Sequence, residues 1–252
     1  MSNPKTLLID IETSPIIGYT WGIYDQNVIS VIQPVKIICA AWKFLDDKGV
    51  VVKSLSDYEG YTGGIVDDKA LVTELWSVLD EADIVVAHNG DAFDIKIMNT
   101  RFIAHELNAP SEYQAVDTLK VAKKYFRFGA NKLDILGKYL DEGRKKGTGG
   151  FETWVRCMEG DLKAWRTMKI YNAQDIELLE RVYLRLRPFM KNHPNLNTIS
   201  PIKTKSQSPV CTVCQSTNTI KRGFKVTKGG RYQRYQCNDC GSWSSGNYER
   251  VK

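Results

Sequence analysis

The sequence contains no apolar run near the ~20 residues that a helix needs to cross a bilayer. Its N-terminus, MSNPKTLLID, has none of the charged and then apolar architecture of a secretory signal. These absences lead us to expect a soluble cytoplasmic protein without membrane contact, in a reducing compartment where cysteines serve something other than disulfides. Internal repeats are missing too, which excludes solenoid architectures. Acids are scarce at one end. Residues 191–252 carry eleven Lys and Arg against Asp239 and Glu249 alone, a net +9, while residues 1–190 are net −3. A basic tail on a mildly acidic body is expected to meet an anion, of which nucleic acid is the usual candidate.

What is present suffices for an ordinary core. The 252 residues are 42% hydrophobic and 25% charged, enough for one large domain or a medium domain with a small one. Strand patterning covers 5–12, 18–24, 35–45 and 50–55, with KIICAAWKF rich in β-branched and aromatic residues. Leu71, Leu75, Val78 and Leu79 recur three and four apart and predict a helix from near Asp67. ADIVVAH (82–88) reads as a buried strand, followed by a helix over 92–107, a strand over 114–117 and helices over 118–126 and 131–141. The Gly- and Lys-rich stretch 142–160 reads as a loop or partly ordered lid. A long helix is expected from Asp161, a suitable N-cap, to about Met190. The stretch 191–209 has linker composition. This order predicts an α/β unit over 1–190, with a mixed sheet flanked by helices, and a small unit over 210–252.

LLIDIETSP (7–15) poses a question of charge. Asp10 and Glu12 interrupt a core strand two residues apart, and strand alternation points both the same way. Neighbouring carboxylates repel and lose hydration, a cost that a cation removes. Alternatively the strand ends there, with one acid capping the next stretch of backbone. In AHNGDAFDIKIMNTRF, Asp91 suits the N-cap of the next helix, leaving Asp94 to face the strand ends beside Phe93. An acid in a first helical turn also favours the helix dipole. In KIYNAQDIELLERVY, Tyr171, Asp175, Leu178 and Val182 share one helix face. Asp175 then lies inward, bonded to a lysine or amide at the boundary or partnered by other groups. Four carboxylates from a strand, a turn and a helix converging on one spot call for divalent cations, and hard oxygen ligands suit Mg2+ or Mn2+.

In that order and spacing the motifs resemble those of the DEDD (DnaQ-like) 3′–5′ exonuclease superfamily, which has an RNase H-like fold. Asp10-Ile11-Glu12 matches its D-x-E motif, Asn89 to Phe93-Asp94 its second motif, and Tyr171 to Asp175 the Y-x-x-x-D form of its third. The histidine form would need His at position 170, which is Ile, so the resemblance is to the tyrosine (DEDDy) branch. It covers about residues 1–190. It implies two Mg2+ or Mn2+ ions, one on Asp10, Glu12 and Asp175, the other on Asp10 and Asp94, with Tyr171 orienting the attacking water. An ordinary tyrosine, with a pKa of ~10, suits orientation better than full general-base work. Asn89 and Phe93 would shape the cleft, although Phe93 also suits plain core. Arg144, Lys145 and Lys146 in the lid stretch are suited to backbone phosphates or to a solvated loop. No polymerase domain follows, so an intact proofreading polymerase is not expected. Asp117, in VDTLK, is expected to cap the next helix.

Four of the six cysteines are organised as CTVC (211–214) and CNDC (237–240), with 22 residues between. Two C-x-x-C pairs signal one structural Zn2+ held by Cys211, Cys214, Cys237 and Cys240, with disulfides the lesser alternative. A Gly229-Gly230 turn separates basic strands, and Gly241 after the second pair suits a tight knuckle. The segment resembles a zinc ribbon of the kind attached to nucleic-acid enzymes. Some 43 residues bury little core, so the ion would be structural. Lys221, Arg222, Lys225, Lys228, Arg231 and Arg234 interleave with Tyr232, Tyr235 and Trp243. That mixture suits phosphate contact with base stacking, unless Tyr235 or Trp243 forms the ribbon's own core. Protein docking is the rival use. Cys39 and Cys157 are expected to be inert.

The leading expectation is a two-metal-dependent 3′–5′ exonuclease on single-stranded DNA ends, whose ribbon holds the strand or a replication or repair protein. The same chemistry on RNA comes second. A non-catalytic nucleic-acid-binding protein with a degenerate exonuclease fold comes third, and four costly acids kept intact argue against it.

Overall fold

The computed structural model describes residues 4–64, 67–144, 150–202 and 208–250. Its elements in chain order are β1 (Thr6–Thr13), β2 (Ile17–Tyr19), β3 (Ser30–Gln33), β4 (Ile37–Phe44), β5 (Val51–Ser54), α1 (Lys69–Asp80), β6 (Ile84–Ala87), α2 (Asp94–Ala104), β7 (Gln114–Asp117), α3 (Thr118–Tyr125), α4 (Leu133–Tyr139), α5 (Phe151–Met158), α6 (Leu162–Leu186), α7 (Leu196–Ile199), β8 (Thr219–Thr227), β9 (Gly230–Cys237) and β10 (Trp243–Arg250). The central sheet has the order β5-β4-β1-β6-β7. β4 and β5 run antiparallel to their neighbours, whereas β1, β6 and β7 are parallel. This is the expected α/β architecture, a mixed sheet flanked by helices. No helix among the described residues is long and apolar enough to cross a membrane.

Strand alternation sorts the core into two layers. Leu7, Ile9 and Ile11 pack with Leu71 and Leu75 of α1 and Met98 of α2. Leu8, Ile84 and Val86 pack on the other face with Leu136 of α4 and the C-terminal half of α6. β4 is buried from Ile37 to Trp42, as its unbroken apolar run requires of a strand covered on both faces. α6 is 25 residues long, about 37 Å at 1.5 Å per residue. It contributes to both layers, giving Trp165 and Met168 to the first and Ile176 to Leu186 to the second. Asp161 caps it by accepting from the amides of Lys163 and Ala164 at 2.7 and 3.3 Å.

Asp68 ties the first layer together. Its side chain accepts from Arg101 at 2.6 and 2.8 Å and from the Ile37 amide at 2.9 Å, and it meets His105 Nε2 at 2.7 Å. Burial opposes its ionisation, but these bonds outweigh burial and hold the carboxyl below the usual carboxylate range.

Several local expectations differ from the structure. The stretch 142–160 includes a helix, α5, whose two turns are short enough to hide between flanking glycines. β3 pairs with β2 in a separate two-stranded sheet that the patterning over 18–24 did not reveal. The stretch 191–209 carries α7, whose Leu196 packs into the second layer. The turn between β8 and β9 is at Lys228-Gly229, since Gly230 already pairs with Thr227. β8, β9 and β10 form a three-stranded antiparallel sheet beside the four cysteines.

Candidate active site

Alternation along β1 makes Asp10 and Glu12 continue the Leu8 row, opposite the small residues Ala41 and Cys39 of β4. α6 lies over this face. Between Met168, its last contribution to the first layer, and Ile176, its first to the second, it presents Asn172 and Asp175, both buried. The carboxylates of Asp10, Glu12 and Asp175 each offer an oxygen within 4.8 Å of the others. Asp94 opens α2, and its Oδ1 accepts from the Ile11 amide at 3.1 Å, the residue between the two acids of β1. Asp94 does face the strand ends, but Asp91 is not the cap. Phe93 holds the N-cap position, and Asp91 instead accepts from Lys120 Nζ at 2.6 Å.

The C-terminal ends of the parallel strands complete the site, the usual location for ligands on such sheets. Asn89 has φ +69°, a left-handed turn that asparagine tolerates, and its amide donates to Asp117 Oδ1 at 3.0 Å. The same oxygen caps α3 through the Leu119 amide at 2.9 Å, as the sequence predicts. His88 bridges Thr118 Oγ1 and the Asn131 carbonyl, both at 2.9 Å, locking β6 to the start of α3 and the approach to α4. A cavity of about 570 Å³ opens here, lined by His88, Asn89, Lys123, Lys132 and Tyr171 among others. The Tyr171 ring stands edge-on to Trp154 of α5, with centroids 6.5 Å apart. The stretch expected as a loop or lid therefore reaches the site through a helix. Phe93 is 41% exposed, so it is not plain core. Arg144 is exposed, and Lys145 and Lys146 lie outside the described residues.

Asn172 escaped the sequence reading. Its Nδ2 donates to Asp10 Oδ2 at 2.5 Å. The signal was available, because Met168, Asn172, Ile176 and Leu179 form a buried stripe at helical spacing with one polar member. Trp154 and His88 carried no comparable local signal. Three carboxylates sharing one pocket, with a fourth tied to the strand between two of them, form an all-oxygen donor set that fits Mg2+ or Mn2+.

The four organised cysteines also converge. Cys211 and Cys240 Sγ are 3.6 Å apart, Cys214 and Cys237 Sγ are 3.7 Å apart, and all four lie within 4.8 Å of one another. Disulfides need about 2.05 Å. Tetrahedral zinc with Zn–S near 2.3 Å puts sulfurs about 3.8 Å apart, so the set fits zinc. Two matching knuckles form it, with Gln215 N donating to Cys211 O and Gly241 N to Cys237 O, both at 3.0 Å. Gly241 takes φ +77°, as its position predicts, while Gln215 takes φ +57° in the other knuckle. Hydrogen bonds from the Cys211 and Cys214 thiols hold the Cys240 thiol well below its usual range. Arg231 and Arg234 lie on β9. Burial raises the Cys39 thiol and pushes Cys157 up to about 12, which keeps both neutral and unreactive at neutral pH.

Residues 46–187, more than half of the chain, match the RNase_H_2 model, and the chain belongs to the RNase H superfamily. That match includes Asp94, Tyr171 and Asp175 and begins after β1. The family B DNA polymerase from the hyperthermophilic archaeon Pyrobaculum calidifontis is similar in structure, with a TM-score of 0.52 at 15% identity over 75% of this chain. The chain spans 26% of that polymerase, and at this identity the likeness concerns the fold alone. No curated protein sequence matches the chain.

Proposed function

We propose that the chain is a two-metal-dependent 3′–5′ exonuclease of the DEDDy branch that releases nucleoside monophosphates from single-stranded DNA ends. The observation that carries this reading is the meeting of Asp10, Glu12 and Asp175 within 4.8 Å, with Asp94 bound to Ile11 between the first two. These four side chains would hold two Mg2+ or Mn2+ ions. When bound, such ions supply Lewis-acid activation of water and neutralise charge on the phosphoryl oxygens.

The chain's own residues supply the rest. Tyr171 orients the attacking water through its hydroxyl, and Asn172 fixes the Asp10 carboxylate that receives the ions. The water oxygen bonds to phosphorus and gives up a proton as the bond from phosphorus to the upstream 3′-oxygen breaks, and the departing 3′-oxygen takes up a proton in its place. Asn89 and Phe93 shape the cleft. Lys123 and Lys132 in the adjoining cavity offset backbone phosphates, with Arg144, Lys145 and Lys146 as further cationic candidates. We assign catalysis to residues 1–190, a connecting segment to 191–209, and to 210–252 a zinc ribbon on Cys211, Cys214, Cys237 and Cys240 that holds the strand or a replication or repair protein.

The test is digestion of 5′-labelled single-stranded DNA and RNA of one sequence, by wild type and Asp10→Ala, with Mg2+ or Mn2+ and with chelator. A DNA ladder that shortens from the 3′ end, and is lost with chelator and in Asp10→Ala, is expected. Faster shortening of RNA would reassign the substrate. Cleavage of neither polymer would overturn the enzymatic reading.

A further inference from the structure

The C-terminal sheet has two chemically different faces. β9 and β10 pair Trp243 with Gln236 and Ser245 with Arg234, while β8 and β9 pair Lys225 with Tyr232. Paired residues share a face and alternate residues return to it, so Lys225, Tyr232, Arg234 and Trp243 lie together. The other face carries Tyr235, Cys237 and Arg231, with Val226 opposite Arg231. The competition between two aromatics for the small core is resolved by this split. Tyr235 is 8% exposed and packs inward, whereas Trp243 is 49% exposed.

The charges divide in the same way. Arg231 is engaged on its own face, with Nε 2.9 Å from Glu249 and its guanidinium 4.1 Å from the centre of the Phe224 ring. Asp239 is held in the knuckles, where Ser216 and Asn218 donate to it. Neither acid bonds to the face of Lys225 and Arg234, since Glu249 lies opposite Arg231 and Asp239 bonds within the knuckles. There the Arg234 guanidinium stands 5.3 Å from the Trp243 ring centre, and a depression of about 330 Å³ is lined by Lys225, Arg234, Trp243, Ser244 and Ser245. Tyr232 lies four residues along β9 from the partner of Trp243, about 14 Å at ~3.4 Å per residue. The two rings are far enough apart to take different bases.

We infer that this face, built from Lys225, Tyr232, Arg234 and Trp243, is a binding shelf for single-stranded nucleic acid, with rings for bases and cations for phosphates. The inference rests on the reading that the substrate is a nucleic-acid strand, and it places the strand on the C-terminal unit as well as at the acids. Tyr, Trp and Arg also serve protein interfaces, but two cations with neither acid bonded to them, beside rings for stacking, match the polyanionic backbone and bases of a single strand. That argues for nucleic acid over a docked protein. Arg231 is excluded from the shelf, since its guanidinium serves the opposite face.

The test is equilibrium binding of a fluorescein-labelled 20-nucleotide oligothymidine to the full, zinc-loaded chain carrying Asp10→Asn, so that the strand is not cut. Trp243→Ala is expected to weaken binding roughly 5- to 150-fold, the range for loss of one stacked base. Arg234→Ala is expected to weaken binding and to reduce the slope of log affinity against log salt by about 0.7, one phosphate contact. Trp243→Phe keeps a stacking ring and retains most of the affinity, and Val226→Ala on the opposite face binds as the parent does. Zinc content measured on each variant shows that the sheet is folded. Parental affinity in both Trp243→Ala and Arg234→Ala, with zinc in place, would overturn the shelf, whatever protein the face then docked. Failure of the wild type to cut any strand would instead remove the exonuclease reading while leaving this binding comparison intact.

Discussion

Asn172, wholly buried on α6, donates from Nδ2 to Oδ2 of Asp10 on β1 at 2.5 Å. The bond joins the two elements that bring the acids together, one residue past Tyr171 and three before Asp175. It also restricts how Asp10 presents its oxygens. Outer partners of metal-binding carboxylates typically account for 10- to 100-fold in affinity or activity. Asn172→Ala is therefore expected to weaken Mn2+ binding by about that factor, measured by calorimetric titration. A lower melting temperature with unchanged Mn2+ affinity would assign Asn172 to packing alone.

Loss of Asp68 should be costly to the first layer. Removing one partner of a buried ion pair leaves Arg101 unpaired in the interior, at a cost of about 3–5 kcal/mol. Asp68→Ala is expected to lower the urea midpoint accordingly. The pH dependence has a definite sign. The folded carboxyl ionises below its ordinary value, so the unfolded chain binds the proton first as pH falls. The stabilisation is complete above the unfolded value of ~3.9 and drains away as pH falls through the folded one. Urea melts at pH 7, 5 and 3 should show wild type losing more stability at the acid end than Asp68→Asn does. Parallel losses would place the acid sensitivity elsewhere.

Gly137 packs α4 tightly against Leu178 of α6. A Cβ there would lie 2.6 Å from Leu178 Cδ1 and 2.8 Å from the Gly143 carbonyl oxygen. Alanine would favour the helix by about 1 kcal/mol. Overpacking costs about 1–3 kcal/mol, and a backbone oxygen cannot rotate out of the way as a side chain can. Gly137→Ala is expected to lower the melting temperature by several degrees, and a rise would show that the helix pair separates at little cost. Leu178 lies three residues beyond Asp175, so the same variant is expected to slow cleavage.

Zinc removal should be felt beyond the cysteines. Gln215 comes directly after Cys214, and its side-chain amide donates to the Ser200 carbonyl at 2.6 Å and the Leu196 carbonyl at 3.3 Å. The Thr212 carbonyl accepts from the Leu196 amide at 2.8 Å. Loss of the knuckle therefore frees the end of the connecting segment. The chain as purified is expected to carry about one zinc per molecule, and Cys214→Ser or chelation is expected to speed tryptic cleavage within 191–209. Absence of zinc from the purified chain, with the segment still protected, would contradict the structural-zinc reading.

Much of this molecule is set over short stretches of chain. The row Leu8, Asp10, Glu12 arises from strand alternation, and α6 from its capping by Asp161 and its periodic apolar face. β7 occupies the predicted 114–117, with Asp117 capping the next helix. These features depend on backbone geometry and on bonds spanning three or four residues, which neighbouring residues settle among themselves. Other features required partners far apart in sequence. Asp91 was as good a cap as any until Lys120 drew it away, and Asn172 was one polar residue in a stripe until α6 crossed β1 beside Asp10. Tyr235 and Trp243 were equal candidates for the small core until pairing put them on opposite faces. The sequence alone thus determined the longer elements and which residues within one of them share a face, but not the short helices α5 and α7 or the β2–β3 pair. Only the tertiary structure decided which faces meet, because burial and long-range hydrogen bonds are set by how whole elements cross.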